Sequence, residues 1–182
     1  APLQAREGGK SEIVVGKGSA AEMIPKIIGK MGGIEAFVKP KSRVLIKPNM
    51  SFANPPEWAT TTSPEAVRTV TKMCLDAGAK RVIIADNTLR EPELCKQKSG
   101  IAEAVKDLKG VVVFTPKQDR FYVEESNDKA TNLVRVKVLK EVLRAHTLVA
   151  LPTAKSHSAG GVSLSIKGLM GLIGNRSIMH SE

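Results

Sequence analysis

Residues 148–180 of the chain read LVALPTAKSHSAGGVSLSIKGLMGLIGNRSIMH, and this stretch decides the fold class. A short apolar run over residues 148–151 ends at a proline, and a polar loop follows it. After Gly160 and Gly161, apolar residues recur at helical spacing as far as Ile173, which predicts a helix. A strand, a glycine loop and a helix in this order are typical of an α/β protein, in which ligands bind where loops leave the carboxyl ends of strands.

The glycine loop is the predicted centre of function. Glycine lets the backbone approach a ligand closely, and the N-terminus of a helix directs free N–H groups toward an anion. Lys155 and His157 share this loop with Gly160 and Gly161. The loop therefore combines a cation, a side chain that can act as a metal ligand or as an acid or base, and two conformationally free residues.

Further short apolar runs predict a mostly parallel sheet. Residues 43–47 (RVLIK) and 81–85 (RVIIA) show no alternation, which indicates strands that are buried on both faces. Because such strands alternate with helical segments, we expect one three-layer α/β domain, Rossmann- or flavodoxin-like. The other predicted elements are a strand over residues 11–17, a helix capped by Ser19, a helix beginning at Ser63, one or two helices over residues 91–108, a strand over residues 111–115, a pair of half-exposed strands over residues 121–125 and 133–138, and a short helix around residues 140–145.

The net charge of +10 favours anionic partners. A plain basic surface with no partner is the alternative. Nucleic acid is disfavoured, because aromatic residues are only 3% of the chain and stacking on bases requires them. The chain has no run of about 18 apolar residues, so we expect no membrane span.

The two cysteines limit the cofactors that the chain can hold. Cys74 and Cys95 are too few for a tetrathiolate, so we expect no iron–sulfur cluster within this chain. A disulfide between them and a bound metal ion are both left open, and the cofactor is unknown.

Polar side chains follow three of the predicted strands at the point where each strand ends. Lys47 and Asn49 follow the first, Asp86 the second, and Lys155 and His157 the last. Because the carboxyl ends of parallel strands open onto one edge, we expect a single cleft there. The lysines suit a phosphate or carboxylate, and Asp86 could ligate a metal, accept a hydroxyl or act as a base. An aspartate after a strand is also common as simple turn chemistry.

Three further residues extend this candidate site. Thr61 lies in a long loop over residues 50–62, and long loops in compact domains are often functional. A buried Lys167 would need a partner, which a bound anion could supply. Arg176 lies four residues before His180, so the two would share a helix face. The predicted catalytic or metal-binding residues are His157, His180 and Asp86, and the predicted ligand-binding residues are Lys47, Asn49, Thr61, Lys155, Gly160, Gly161, Lys167 and Arg176.

Three ordered motifs resemble one known family. VLIKPNM, SPEAVRTVTKMCLDAGAKRVIIADN and LPTAKSHSAGGVSLSIKGLMGLIGNRSIMH are similar to the domain of unknown function 362 family. The family pattern falls on Lys47, Asn49, Asp86 and Lys167, and on the loop that carries Lys155 and His157. Many members are described as iron–sulfur centre proteins with a ferredoxin-like cysteine array, which this chain lacks.

The resemblance also implies a longer protein and a location. Members usually continue past the last histidine motif, so we expect this chain to be the N-terminal part of a longer protein. Exported members are common, and the polar start APLQAREGGK fits a mature end, so export is favoured over a cytoplasmic location. A distant similarity to the N-terminal domain of lactate racemase, a nickel-cofactor enzyme, implies an anionic organic ligand by fold-level analogy.

These observations favour an enzyme or enzyme domain that binds an anionic small molecule, with or without a metal, at the carboxyl ends of the strands. The alternatives are a non-catalytic carrier or assembly protein for a metal or iron–sulfur cofactor and, last, a basic nucleic-acid-binding protein. A homo-oligomer is left open, because a sheet edge could be covered by a partner chain.

Overall fold

The structure, a computed structural model, describes residues 13–131, 134–157 and 161–177. None of the helices in these ranges is long and apolar enough to cross a membrane. The strands are β1 (Arg43–Pro48), β2 (Arg81–Ala85), β3 (Val111–Phe114), β4 (Tyr122–Ser126), β5 (Arg135–Leu139), β6 (Thr147–Leu151), β7 (Lys155–His157) and β8 (Gly161–Ser163). The helices are α1 (Ala20–Lys30), α2 (Pro64–Asp76), α3 (Pro92–Lys98), α4 (Ile101–Val105), α5 (Lys140–Arg144) and α6 (Ser165–Gly168), and 3₁₀ helices span Ile34–Ala36, Pro56–Trp58, Asp119–Phe121 and Leu169–Leu172.

The centre of the fold is a four-stranded, all-parallel sheet in the order β3-β2-β1-β6. The chain moves outward from β1 through β2 to β3, and then returns to the other side of β1 as β6. This is the order of the first four strands of a Rossmann sheet, in which ligands bind where the direction of strand addition reverses. The predicted three-layer α/β fold with a mostly parallel sheet is confirmed.

The strands lack alternation because both faces of the sheet are covered. Val44 and Ile46 pack on one face against a layer of α1, α2 and α4. Leu45, between them in the chain, packs on the opposite face against the antiparallel β4–β5 hairpin, α5 and the last 3₁₀ helix. The two faces therefore hold separate apolar clusters, and the sheet lies between them.

The helix starts follow the capping chemistry of the sequence. The side chain of Ser19 accepts a hydrogen bond from the backbone N–H of Glu22, and Ser63 caps α2. Gly100 separates α3 from α4 with φ of +69°, and a Cβ atom there would lie 3.2 Å from Pro64. The break predicted within residues 91–108 is confirmed, as is the half-exposed strand pair β4–β5.

Two predicted elements are wrong. Residues 13–17 form no strand, and Ile13 and Val15 are 88% and 86% exposed, so neither is held by packing; residues 11 and 12 lie outside the described ranges. The predicted helix after the glycines instead begins as β8, which pairs antiparallel with β7, and only then continues as α6 and the last 3₁₀ helix. Ile166 is 87% exposed, so the helical spacing of apolar residues there does not mark a buried face.

Candidate functional site

A cavity of about 550 Å³ opens at the carboxyl ends of β1, β2 and β6. Lys47 and Asn49 reach it from the end of β1, Asp86 from the end of β2, and Lys155 and His157 from β7, just after β6. The structure therefore brings together the polar residues that follow three parallel strands. Lys167 and Arg176 line the same cavity from the segment after β8.

A buried ion pair forms the base of the cavity. Lys47 Nζ lies 3.0 Å from Asp86 Oδ1, and the two side chains are 3% and 0% exposed. Lys47 Nζ also donates a hydrogen bond to the carbonyl of Pro48. Asp86 Oδ2 accepts hydrogen bonds from Met50 N–H at 2.7 Å and from the Ser51 hydroxyl at 3.0 Å. This carboxylate therefore holds a buried cation through Oδ1 and the start of the loop after β1 through Oδ2.

The last 3₁₀ helix lies directly on this ion pair. A Cβ atom on Gly171 would overlap Asp86 Oδ1 and the end of the Lys47 side chain, so only glycine allows this approach. The carbonyl of Gly171 accepts a 2.7 Å hydrogen bond from Asn87 N–H, and Asn87 Nδ2 donates to the carbonyl of Ile173 at 3.0 Å. Sequence reasoning did not single out Gly171, although a glycine within an apolar run is a signal of close packing.

Asn49 is fixed in place by Thr62. Asn49 N–H donates to the Thr62 hydroxyl at 2.8 Å, and Thr62 N–H donates to the Asn49 carbonyl at 2.9 Å. The same hydroxyl donates to the carbonyl of Leu151 at 2.7 Å, which ties the end of β1 to the end of β6. Thr61, the predicted residue, is buried but does not line the cavity, and its hydroxyl has no hydrogen-bond partner among the described residues.

Lys155 lies between a carbonyl and an aromatic ring. Its ammonium donates to the carbonyl of Thr60 at 2.6 Å and lies 5.2 Å from the centroid of the Phe52 ring. Burial lowers the pKa of Lys155 below the usual 10.5; the Asp86 carboxylate opposes this shift, and the Lys47 ammonium adds to it. Phe52 lines the cavity and was not predicted, although an aromatic residue in a polar loop is a usable signal.

Two more cations complete the lining. Arg176 Nη1 donates to the carbonyl of Asn87 at 2.8 Å, and Nη2 donates to that of Thr88 at 3.3 Å. Lys167 Nζ contacts the thioether sulfur of Met170 at 3.0 Å, and a thioether is a weak acceptor. Among the residues that the structure describes, four cationic side chains therefore line the cavity against one carboxylate, Asp86. A concave site with this imbalance concentrates anions.

The remaining predicted residues lie elsewhere or outside the described ranges. Gly161 pairs with His157 across the β7–β8 hairpin and does not line the cavity. Gly160 and His180 lie outside the described residues. The helix N-terminus expected directly after the glycines is wrong, because that segment begins as β8.

The predicted metal site of His157, His180 and Asp86 stays a prediction, because His180 lies outside the described residues. Within residues 13–131, 134–157 and 161–177, no group of three or more His, Cys, Asp and Glu side chains could hold a metal ion. Asp86 is held by Lys47, and the cations around it would repel a divalent metal. Cys74 and Cys95 are free and buried, and burial raises the pKa of the Cys74 thiol to about 11, which makes it a poor metal ligand or nucleophile.

The fold and the cavity define an α/β protein with a basic cleft at the carboxyl edge of a Rossmann-ordered sheet. Residues 44–182 match the sequence profile of the family described as domain of unknown function (DUF362), and the chain belongs to that family. It is also 27% identical over 160 residues to a thylakoid-associated protein of Synechocystis sp.. That match covers 86% of this chain and 47% of the relative, so the chain spans about half the length of that protein.

Replacing Gly171 with alanine tests the contact between the last 3₁₀ helix and the ion pair. We expect Gly171→Ala to lower the free energy of unfolding by about 1–3 kcal/mol, because its methyl group must displace Asp86 or Lys47. Gly168→Ala is the matched control, since its added Cβ atom would meet its nearest atoms at 3.7 Å, an ordinary contact. Urea denaturation measures both variants. Equal stability of the two would contradict the close approach of Gly171.

The ion pair itself is tested by a double-mutant cycle. We expect Lys47→Met or Asp86→Asn alone to cost about 3–5 kcal/mol, because each leaves a buried charge without its partner. The double variant removes both charges, so it should recover most of that loss. Free energies of unfolding in urea for the four proteins give the coupling. Losses that simply add would show that the two charges do not depend on each other.

Proposed function

We propose that this domain binds an anionic organic molecule in the cavity at the carboxyl ends of β1, β2 and β6, and that it acts as an enzyme or enzyme domain. The observation that carries the proposal is the charge of the cavity wall. Within the described part of the chain, four cationic side chains line one space, and the single carboxylate that lines it there is already paired with Lys47. Such an excess of positive charge in a concave site is stabilised when an anion binds.

The cations differ in the contacts that they offer. Arg176 has a planar guanidinium, whose fork matches a carboxylate or phosphate group. Lys155 and Lys167 are point charges on flexible stems, and Lys47 is held at the base by Asp86. The backbone carbonyls that accept from Arg176 and Lys155 hold these two side chains in position before a ligand arrives. An acidic group would therefore bind between Arg176 and the lysines.

The rest of the lining suits an organic skeleton rather than an inorganic ion. Phe52, Leu89 and Met170 contribute apolar surface to the same cavity. A volume of about 550 Å³ is in the range that holds a small organic molecule. The ligand that fits this description combines one or more acidic groups with a short carbon framework.

Two lining residues could move a proton on such a ligand. His157 carries an imidazole, a side chain that can accept and return a proton, and it lies on β7 two residues after Lys155. The lowered pKa of Lys155 makes its neutral, proton-accepting form more accessible than that of an ordinary lysine. These groups, rather than the buried Asp86, are our candidates for acid–base chemistry, and they support an enzyme over a passive binding protein.

The charge of Lys155 provides the direct test of binding. With a panel of carboxylates and phosphate monoesters, we expect Lys155→Met to weaken binding about tenfold or more, because a charge-assisted contact is lost. Lys72→Met is the matched control, since Lys72 is 61% exposed on α2 and does not line the cavity. Isothermal titration calorimetry measures the affinities. Equal effects of the two substitutions would place the anion on the general surface and contradict the proposal.

The pH dependence of binding provides a second test. An anion binds to the protonated form of Lys155, which is present below its pKa and is lost as the pH rises through it. Because the pKa of Lys155 is lowered, we expect the affinity for the anion to fall at a lower pH than it would if Lys155 had the usual lysine pKa of 10.5. Lys155→Arg stays protonated, so its affinity should change little between about pH 7 and about pH 10. Identical pH profiles for the two proteins would contradict this role of Lys155.

A further inference from the structure

The side-chain oxygen of Asn49 is buried in the cavity wall without a hydrogen-bond donor. Asn49 is 8% exposed and lines the cavity, and its Oδ1 atom has no hydrogen-bond partner among the described residues. A buried acceptor left unpaired is costly, and folded proteins rarely retain one without a reason. A group that enters the cavity is one such reason.

The neighbouring backbone cannot supply the missing donor. A Cβ atom placed on Gly168 would lie 3.7 Å from both Asn49 Oδ1 and Pro152 Cβ, so Gly168 and Pro152 are two of the residues near this oxygen. Proline has no N–H group. The N–H of Gly168 already donates to the carbonyl of Leu164 at 2.8 Å. Neither of these two neighbours supplies a donor, and because Asn49 lines the cavity, a group bound there is the candidate donor.

The backbone that carries the Asn49 amide is held in a fixed position. Both backbone groups of Asn49 are bonded to Thr62, and the Thr62 hydroxyl is anchored to Leu151. The absence of a side chain on Gly168 keeps the space next to the amide open. An acceptor in a fixed position discriminates strongly between ligands that carry a donor and ligands that lack it.

The charge of the cavity restricts the kind of donor. An ammonium group on the ligand would be repelled by Lys47, Lys155 and Arg176, whereas a hydroxyl group carries no charge. We infer that the ligand is a hydroxylated anion, with its acidic group between the cations and a hydroxyl group that donates to Asn49 Oδ1. This inference rests on the proposed anion site and adds the chemical class of the ligand and the residue that selects it.

Matched pairs of anions test the inference. The first pair is sn-glycerol 3-phosphate and n-propyl phosphate, and the second is glycerate and propionate; within each pair the carbon count and acidic group are the same, and the hydroxyl groups differ. We expect the hydroxylated member of at least one pair to bind about tenfold or more tightly in calorimetric titrations. In Asn49→Leu we expect the ratio of the affinities for the two members of the pair to fall close to one, while the affinity for the member without hydroxyls is retained.

A second variant separates the selection by Asn49 from a general effect of removing a buried polar group. Thr71 also has a buried hydroxyl without a hydrogen-bond partner among the described residues, but it lies in α2 and does not line the cavity. We expect Thr71→Val to keep the preference of the unmodified protein. Circular dichroism checks that both variants are folded. The preference of the unmodified protein for hydroxylated anions is measured without any substitution, so that part of the test does not depend on how the variants fold.

The outcomes distinguish this inference from the proposed function. If both members of each pair bind the unmodified protein with equal affinity, a water molecule can supply the hydrogen bond to Asn49 Oδ1. The inference of a hydroxylated ligand is then overturned, and the proposed anion site stands. A preference that survives Asn49→Leu also overturns the assignment to Asn49. If no member of either pair binds, the anion site fails and the inference fails with it.

Discussion

The buried ion pair between Lys47 and Asp86 is the interaction on which the site depends. Removing two charges from water costs several kcal/mol per ion, and a close partner together with further hydrogen bonds must offset that cost. Here the partner lies at 3.0 Å, and Met50 N–H and the Ser51 hydroxyl donate to the other carboxylate oxygen. The pair therefore requires β1 and β2 to be neighbours and the loop after β1 to turn back over Asp86.

The same constraint explains the segment that follows β8. The last 3₁₀ helix can lie on the ion pair only because position 171 has no side chain. Hydrogen bonds from Asn87 to the carbonyls of Gly171 and Ile173 then hold that segment against the end of β2. This contact places Lys167 and Arg176 around the cavity, so the positive charge of the wall depends on close packing at its base.

Much of the site could be predicted because the carboxyl ends of parallel strands share one edge. Lys47 and Asp86 each follow an apolar run without alternation, and that position alone brought them together. Thr61 was predicted as a ligand-binding residue but does not line the cavity, and its neighbour Thr62 ties β1 to β6. The sequence of a loop does not say which way each of its side chains points. The glycine loop was read as a helix start, since the pairing of β7 with β8 leaves no signal in the spacing of apolar residues.

The sequence by itself determined the fold class and the polarity of the sheet. Apolar runs that end in polar residues, alternating with capped helices such as the one that begins after Ser63, permit few arrangements other than a parallel α/β sheet. Only the tertiary structure decided which polar side chains face the cavity and which are paired with other groups of the protein. Asp86 forms an ion pair with Lys47, whereas the side-chain oxygen of Asn49 has neither an ion-pair nor a hydrogen-bond partner among the described residues. That distinction depends on distances between segments far apart in the chain, which local patterns of hydrophobicity do not encode.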